Sequence, residues 1–347
     1  MTLDSRSTKR RRVSDSPQTI VILPPGQSRK PAKGQEQFTR HADFWLDDGN
    51  LILIAGDTAF RLYQGLLTKS SAVFADMFAT GSADATETFD GCPVVRLPDH
   101  PADLGDFLQC LMPCSEPRLY DGLPVSDFAE LHAAIHLAHK YQCSHVETRV
   151  LSVLKRYYTP HFTDYVRYST SKPHMLAPAR SAAVAAVNIA RLTETVSMLP
   201  FALYHVCALE GRMMDGYKRR DGSVEYLSTE DLRLCVGARN ILAREMPSLV
   251  KTVFQKKPSP RCKTAERCAA ALVDLRDDVE LNSLGECNVL DSFEDIIETW
   301  AAEFELCMAC KKEMLDREVT ARRELWELLP DVFGMSIKSC GFTSTVE

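Results

Sequence analysis

Two groups of residues have the types and spacing to do chemistry. Cys307 and Cys310 form a C-x-x-C in "CMAC", a spacing that can present two thiolates to one tetrahedral cation. A second pair would complete a four-sulfur site. Cys262 and Cys268, in "RCKTAERC", supply it from a segment that reads as a loop entering a helix, with Cys287 as a spare. The chemistry this implies is a structural zinc joining two helices, with Cys262, Cys268, Cys307 and Cys310 as ligands. The competing reading is small thiols packed between helices, because reduced cysteine is among the most buried residue types. The six-residue step from Cys262 to Cys268 is wide for a ligand pair. Redox catalysis by "CMAC" would call for a βαβ context, which the surrounding sequence lacks.

The second group is His132, His136 and His139, four and three residues apart in "ELHAAIHLAHKYQC", with Cys143 alongside. On a helix they flank one apolar face, and a pair at i, i+4 can bind zinc. The glutamate that makes H-E-x-x-H a hydrolase is missing. The sequence also contains no G-x-G-x-x-G, P-loop or G-x-S-x-G. Glu230-Asp231 is explained by a helix start, and the Arg219-Arg220 and Arg322-Arg323 pairs read as solvated turns or helix faces. "MMDGYKRRDGSVEY" has Gly and Asp at turn positions and reads as a small hairpin. The expectation is a protein that is not an enzyme and takes no small-molecule substrate.

The elements that must position these residues fall into two stretches. From Phe38, "LILIA" is a short apolar strand, Gly56-Asp57 a turn, and "AFRLY" a returning strand. A helix follows with Ser70 or Ser71 near its cap. Val73, Phe74, Met77 and Phe78 form its apolar face, and Gly81 closes it. "CPVVRLP" is a further strand. "PADLGDFLQCLMP" is a helix with Pro101 in its first turn and a stripe of Leu104, Phe107, Leu108 and Leu111. Two more helices run from about Ser126 to Tyr141 and through "VETRVLSVLKRYY". Beyond residue 158 strands almost vanish. "PARSAAVAAVNIARLTE" is helical, "STEDLRLCVGARNILAREM" starts on a capping-box-like Ser228 to Asp231, and the span from Ser292 to Leu329 reads as one long helix with Pro330 after it. The fold class is α+β: a short sheet capped by helices over 38–157, then a mostly α-helical region over 158–347.

Composition narrows the function classes. The chain has 347 residues, 45% hydrophobic and 25% charged, with a net charge of −6, so nothing global marks a nucleic-acid binder. The charge is uneven: residues 1–40 carry a net +6 and the remainder −12. Residues 1–37, rich in Ser, Pro, Gln, Lys and Arg, read as a disordered basic tail. Its Lys9–Arg12 cluster beside Ser16-Pro17 reads either as solvated charge or as a nuclear import signal near a phosphorylation site. The only apolar run there, "TIVIL", is too short for a secretory signal, and no run approaches the ~18 apolar residues of a membrane span. The expected location is intracellular, nucleus or cytoplasm, with the 12 cysteines reduced, buried or metal-bound.

The first stretch resembles a BTB/POZ domain. The resemblance runs through Leu51–Ile54, the Phe60-Arg61 pair, Leu67, Ser70 or Ser71, Phe74 and Met77-Phe78, then "VVRLPD", "DLGDFLQCLMP" and "LAHKYQC". It covers about residues 38–157. The whole chain is similar to fungal proteins that carry this domain and a helical tail, in which a Cys pair followed by a C-x-x-C near a Trp-bearing end also appears. The resemblance implies a protein–protein interaction module that binds other proteins and self-associates as a homodimer through the "FTRHADFWL" region, with Phe38, Phe44, Trp45 and Leu46 as apolar anchors. A second reading of Trp45 is that it plugs the module's own core. Many family members carry a His where this chain has Tyr63. Cullin-binding members carry an apolar residue, any residue, then Glu after the Met-Phe helix, and the nearest match here is Ala85-Thr86-Glu87. A cullin ubiquitin-ligase adaptor and a nuclear transcriptional regulator are the alternative functions. No membrane and no direct nucleic-acid contact is expected.

Overall fold

The "LILIA" run is buried on both faces because it becomes the central strand of a sheet, as a continuous apolar run of strand length requires. The structure, a computed structural model, describes residues 38–81, 87–112, 127–170 and 180–342. Strand β2 (Leu51–Ala55) turns through Gly56-Asp57 into β3 (Thr58–Leu62), pairing Leu53 with Phe60 and Ala55 with Thr58. Gly56 sits at φ +55°, the left-handed conformation that suits glycine in a two-residue turn. On the other side β2 runs parallel to β5 (Cys92–Leu97), and β4 (Thr88–Phe89) pairs antiparallel with β5. The remaining strand, β1 (Thr39–Trp45), lies parallel to β3 with a register shift between Arg40 and Trp45. The order is β1-β3-β2-β5-β4, which leaves β1 and β4 at the edges. The fold is mixed α+β.

Between hairpin and β5 the single predicted helix is two: α1 (Gln64–Ser70) and α2 (Ala72–Gly81), broken at Ser71. Ser71 Oγ accepts from the Phe74 N–H at 3.0 Å and donates to the Tyr141 carbonyl at 2.5 Å. It therefore caps α2 and ties it to the far end of α4. Helix α3 (Pro101–Leu111) begins on Pro101 as the sequence predicts. Helix α4 (Phe128–Lys140) is capped by Asp127, whose carboxylate accepts from the Ala129 N–H. Almost the whole circumference of α4 is buried, the pattern of a central helix. Helix α5 (Ser144–Tyr157) follows.

The helical half is α6 (Phe162–Thr170), α7 (Ala182–Leu192), α8 (Leu199–Cys207), the small hairpin β6 (Tyr217–Lys218) and β7 (Val224–Glu225), then α9 (Thr229–Val253), α10 (Ala265–Asn282), α11 (Glu294–Glu303), α12 (Met308–Val332) and α13 (Ile337–Cys340). The predicted hairpin is present. Gly216 lets it close: a Cβ there would come within 2.5 Å of the Glu225 carbonyl. The Ser228 cap of α9 accepts from the Asp231 N–H at 3.0 Å. Asp231 is also paired with Arg191 at 2.6 Å, so its role exceeds a helix start.

Three expectations are corrected here. The single helix over Ser292–Leu329 is two, broken between Glu303 and Met308, with Glu305 at φ +49°. Pro330 lies inside the last turn of α12 rather than after it. Arg322 is buried on Glu318 at 2.6 Å, and Arg219-Arg220 reach Asp103, Asp106, Asp127 and Glu225. These arginines are ion-paired rather than solvated.

Phe38–Glu347 forms one compact unit, and its main core runs without interruption past residue 157. Trp326 on α12 stacks on Tyr165 and packs edge-on to Phe162, and its indole N–H donates to the Pro160 carbonyl at 3.2 Å. Ile52, Ile54, Ala59 and Cys92 form a second, small cluster on the opposite face of the sheet, covered by Phe38, Trp45, Phe89 and Val94. Among the described residues no helix is long and apolar enough to cross a membrane.

Candidate metal centre

The break between α11 and α12 creates the site. Because the chain leaves helix at Glu303 and re-enters at Met308, Cys307 becomes the N-cap of α12 and Cys310 lies in its first turn. That turn has backbone N–H groups with no partner inside the helix. On the other side Cys262 ends a loop, its N–H bonded to the Ser259 carbonyl at 2.8 Å, and Cys268 sits in the first turns of α10. The wide spacing of Cys262 and Cys268 is thus explained: one ligand belongs to the loop and the other to the helix it feeds.

The four sulfurs of Cys262, Cys268, Cys307 and Cys310 lie within 4.8 Å of one another, with Cys307 and Cys262 at 3.5 Å. Tetrahedral zinc with sulfur ligands needs sulfur–sulfur separations of about 3.8 Å. Two backbone N–H groups donate to sulfur, and a hydroxyl lies beside it. The Ser259 N–H reaches Cys310 at 3.3 Å, the Cys307 N–H reaches Cys268 at 3.5 Å, and the Thr264 hydroxyl lies 3.2 Å from Cys268. The N-termini of two long helices also face the cluster, and their dipoles favour negative charge.

These donors set the protonation of the thiols. Burial opposes ionisation of Cys307, but the Cys310 N–H and the neighbouring thiols outweigh it and bring Cys307 down to about 6. Burial pushes Cys310 up, and the thiols of Cys262 and Cys307 add to that. A first thiolate is welcome and a second is resisted, as close like-charged groups require. A divalent cation is the partner that would let all four ionise. Cys287, the spare, is elsewhere: its sulfur lies 3.4 Å from Arg239, against the Cys207 carbonyl. All the described cysteines are free thiols.

The histidines separate. His139 pairs with Glu147 at 3.0 Å near the surface. Cys143 is buried at the start of α5. His132 and His136 turn inward, toward Glu225 on β7, at 2.9 and 3.6 Å from the same carboxylate oxygen. Burial, with His132 and Arg219 nearby, lowers His136 to about 4. Glu225 was not among the candidates drawn from sequence, because nothing local in "SVEY" points across the chain to α4. A separate cavity of about 240 Å³, lined by Tyr157, Tyr158, Arg180, Tyr204, His205 and Asp291, is smaller than the roughly 300–1,000 Å³ of a drug-sized ligand pocket. No family model, no curated protein and no solved structure matches this chain.

Proposed function

We propose that this chain is a non-catalytic protein-interaction protein of the BTB/POZ type, with residues 38–157 as the docking module and a structural zinc in the Cys262–Cys268–Cys307–Cys310 site bracing the helical region. The observation that carries the reading is the order of elements: hairpin β2–β3, paired helices α1–α2, strand β5, then α3, α4 and α5. That is the order the sequence resemblance implies. The docking surface is supported by β1, an edge strand that is mostly exposed. An edge of this kind offers unpaired backbone groups to another chain. Beside it Phe38, Trp45 and Phe89 form a half-buried aromatic group, with Phe38 and Phe89 rings 5.0 Å apart and the Arg40 guanidinium 4.4 Å over Trp45. Trp45 packs on the Ile52–Ile54 cluster, as its core reading has it, and its half-buried state is compatible with the anchor reading.

The test is Phe38→Glu in the full chain, compared with wild type by sedimentation and by quantitative proximity labelling in cells. The expected result is loss of self-association and of the shared interaction set, with a lower melting temperature but a chain that still unfolds cooperatively. An interaction set that survives the substitution overturns the surface. A pull-down with a cullin tests the adaptor alternative. Of its motif, Ala85 and Thr86 lie outside the described residues, and Glu87 is exposed and already paired with Arg96 at 2.6 Å. The Lys9–Arg12 cluster behind the nuclear alternative also lies outside them, and a fluorescent fusion tests it.

A further inference from the structure

We propose a second divalent-metal site, independent of the four-cysteine cluster, formed by His132 and His136 of α4 with Glu225 of β7. The three donor atoms lie within 4.8 Å of one another. The two Nε2 atoms are 2.9 and 3.6 Å from Glu225 Oε1, which brackets the separation of about 3.3 Å expected between nitrogen and oxygen ligands of a tetrahedral ion. The i, i+4 spacing puts both rings on one face of α4, and the hairpin brings the carboxylate to them from ninety residues further along.

A second observation points to a ligand. His132 has a side chain only 4% exposed and its Nε2 lies 2.9 Å from Glu225 Oε1, while the His136 Nε2, 3.6 Å from that oxygen, has no hydrogen-bond partner. Buried polar atoms are ordinarily satisfied. Here a proton on His132 Nε2 can serve Glu225 Oε1, and the His136 Nε2 is left aimed at the same carboxylate oxygen with no donor or acceptor of its own, a place a cation would fill. The walls suit a small ion. The Tyr217 ring lies 5.2 Å from His132, and Phe128 packs on both. Asn188 Nδ2, 3.5 Å from the other Glu225 oxygen, orients the carboxylate as a supporting partner would. Arg219 is the competing cation, 3.4 Å from Glu225 Oε1, but it also lies 3.9 Å from Asp103, which can hold it when the metal enters. Two imidazoles and one carboxylate select a borderline transition ion of the zinc class over calcium or magnesium. The ion would clamp the β6–β7 hairpin onto α4.

The test is metal analysis of the full chain after equilibration with Zn²⁺ and desalting, for wild type, Glu225→Gln, His136→Gln and Cys310→Ser. With both sites filled, wild type carries about two zinc per chain and each of the first two variants about one. Cobalt-substituted Glu225→Gln then keeps its thiolate charge-transfer band. Should the cysteine cluster hold no metal, wild type carries about one, bound without sulfur, and Glu225→Gln none; that outcome also supports this site. Wild type with no zinc, or zinc unchanged by Glu225→Gln, overturns it. Because the variants could disturb folding, X-ray absorption of zinc-loaded wild type gives a second decision. Imidazole in the zinc shell supports the site, and sulfur alone overturns it.

Discussion

The helical half holds two sulfur clusters that use the same residue type in opposite ways. At the junction of α10 and α12, backbone N–H groups are directed at sulfur. Between α8 and α9 two thiols instead donate to carbonyls, although the Arg239 guanidinium also reaches the Cys287 sulfur at 3.4 Å. Cys207 donates toward the Cys235 carbonyl at 3.5 Å, and Cys287 donates toward the Cys207 carbonyl at 3.7 Å. The interaction with Cys235 and burial push the Cys207 thiol up, and burial pushes Cys287 up. The first cluster favours a thiolate at Cys307, and the second keeps Cys207 and Cys287 as thiols. If the proposed zinc is bound, the direction of the surrounding hydrogen bonds, more than the proximity of the cysteines, separates the two clusters.

The largest test of that contrast is metal removal. A strong chelator is expected to lower the melting temperature of wild type and of Cys207→Ala by on the order of 10 °C or more, since zinc bound only by the native state contributes directly to its stability. Cys310→Ser made in the Glu225→Gln background should show no such drop. Scanning fluorimetry checks it, and a wild-type curve indifferent to chelator breaks the comparison.

Next in size is a pH effect beside the second cluster. His205, on α8 near Cys207, is held to about 4 by burial and by Arg180, against an ordinary 6.5. The unfolded chain binds this proton more readily, so the contribution of His205 to stability is full above about pH 6.5 and is lost as pH drops toward 4, by on the order of 3 kcal/mol. His205→Phe should flatten that segment of a stability–pH curve measured by denaturant titration.

Cys235→Ala is expected to cost about 2 kcal/mol through a small cavity, read from the shift in denaturant midpoint, while leaving the chelator response intact. The smallest effect is chemical. In metal-free protein at neutral pH, Cys307 should react with iodoacetamide about tenfold faster than Cys207, following its thiolate character. Peptide mass spectrometry reads the order of modification, and equal rates would erase the distinction.

Much of this was legible in the sequence where signals were local. "LILIA" with its Gly-Asp turn, the Pro101 helix start, the Ser228 cap and the "YKRRDGSVEY" hairpin all appear as read, because turn chemistry and capping act over a few residues. The four cysteines were also named, since C-x-x-C is a short-range pattern. What the sequence hid was tertiary. The break at Glu305 interrupts an unbroken amphipathic pattern with neither Gly nor Pro to mark it, so Ser292–Leu329 read as continuous. The Ser71 break between α1 and α2 is satisfied by a carbonyl seventy residues away. Arg219, Arg220 and Arg322 looked solvated because their carboxylate partners Asp106 and Glu225, and the burial of α12, are set by packing. Strand β1 was placed only as part of an N-terminal docking region, since "TRHADFW" carries little alternation and a bulge.

The continuity of the core past residue 157 has a consequence for how the chain is made. Helix α4 is enclosed on nearly every side, but part of its cover, α7 and the Tyr217–Glu225 hairpin, is translated much later, and the Trp326 contact with Pro160 spans 166 residues. A ribosome-bound nascent chain that has completed α5 therefore presents an apolar helix with one flank still bare. The first half would wait for the second before settling, a situation in which a chaperone that recognises exposed apolar helix has its opportunity.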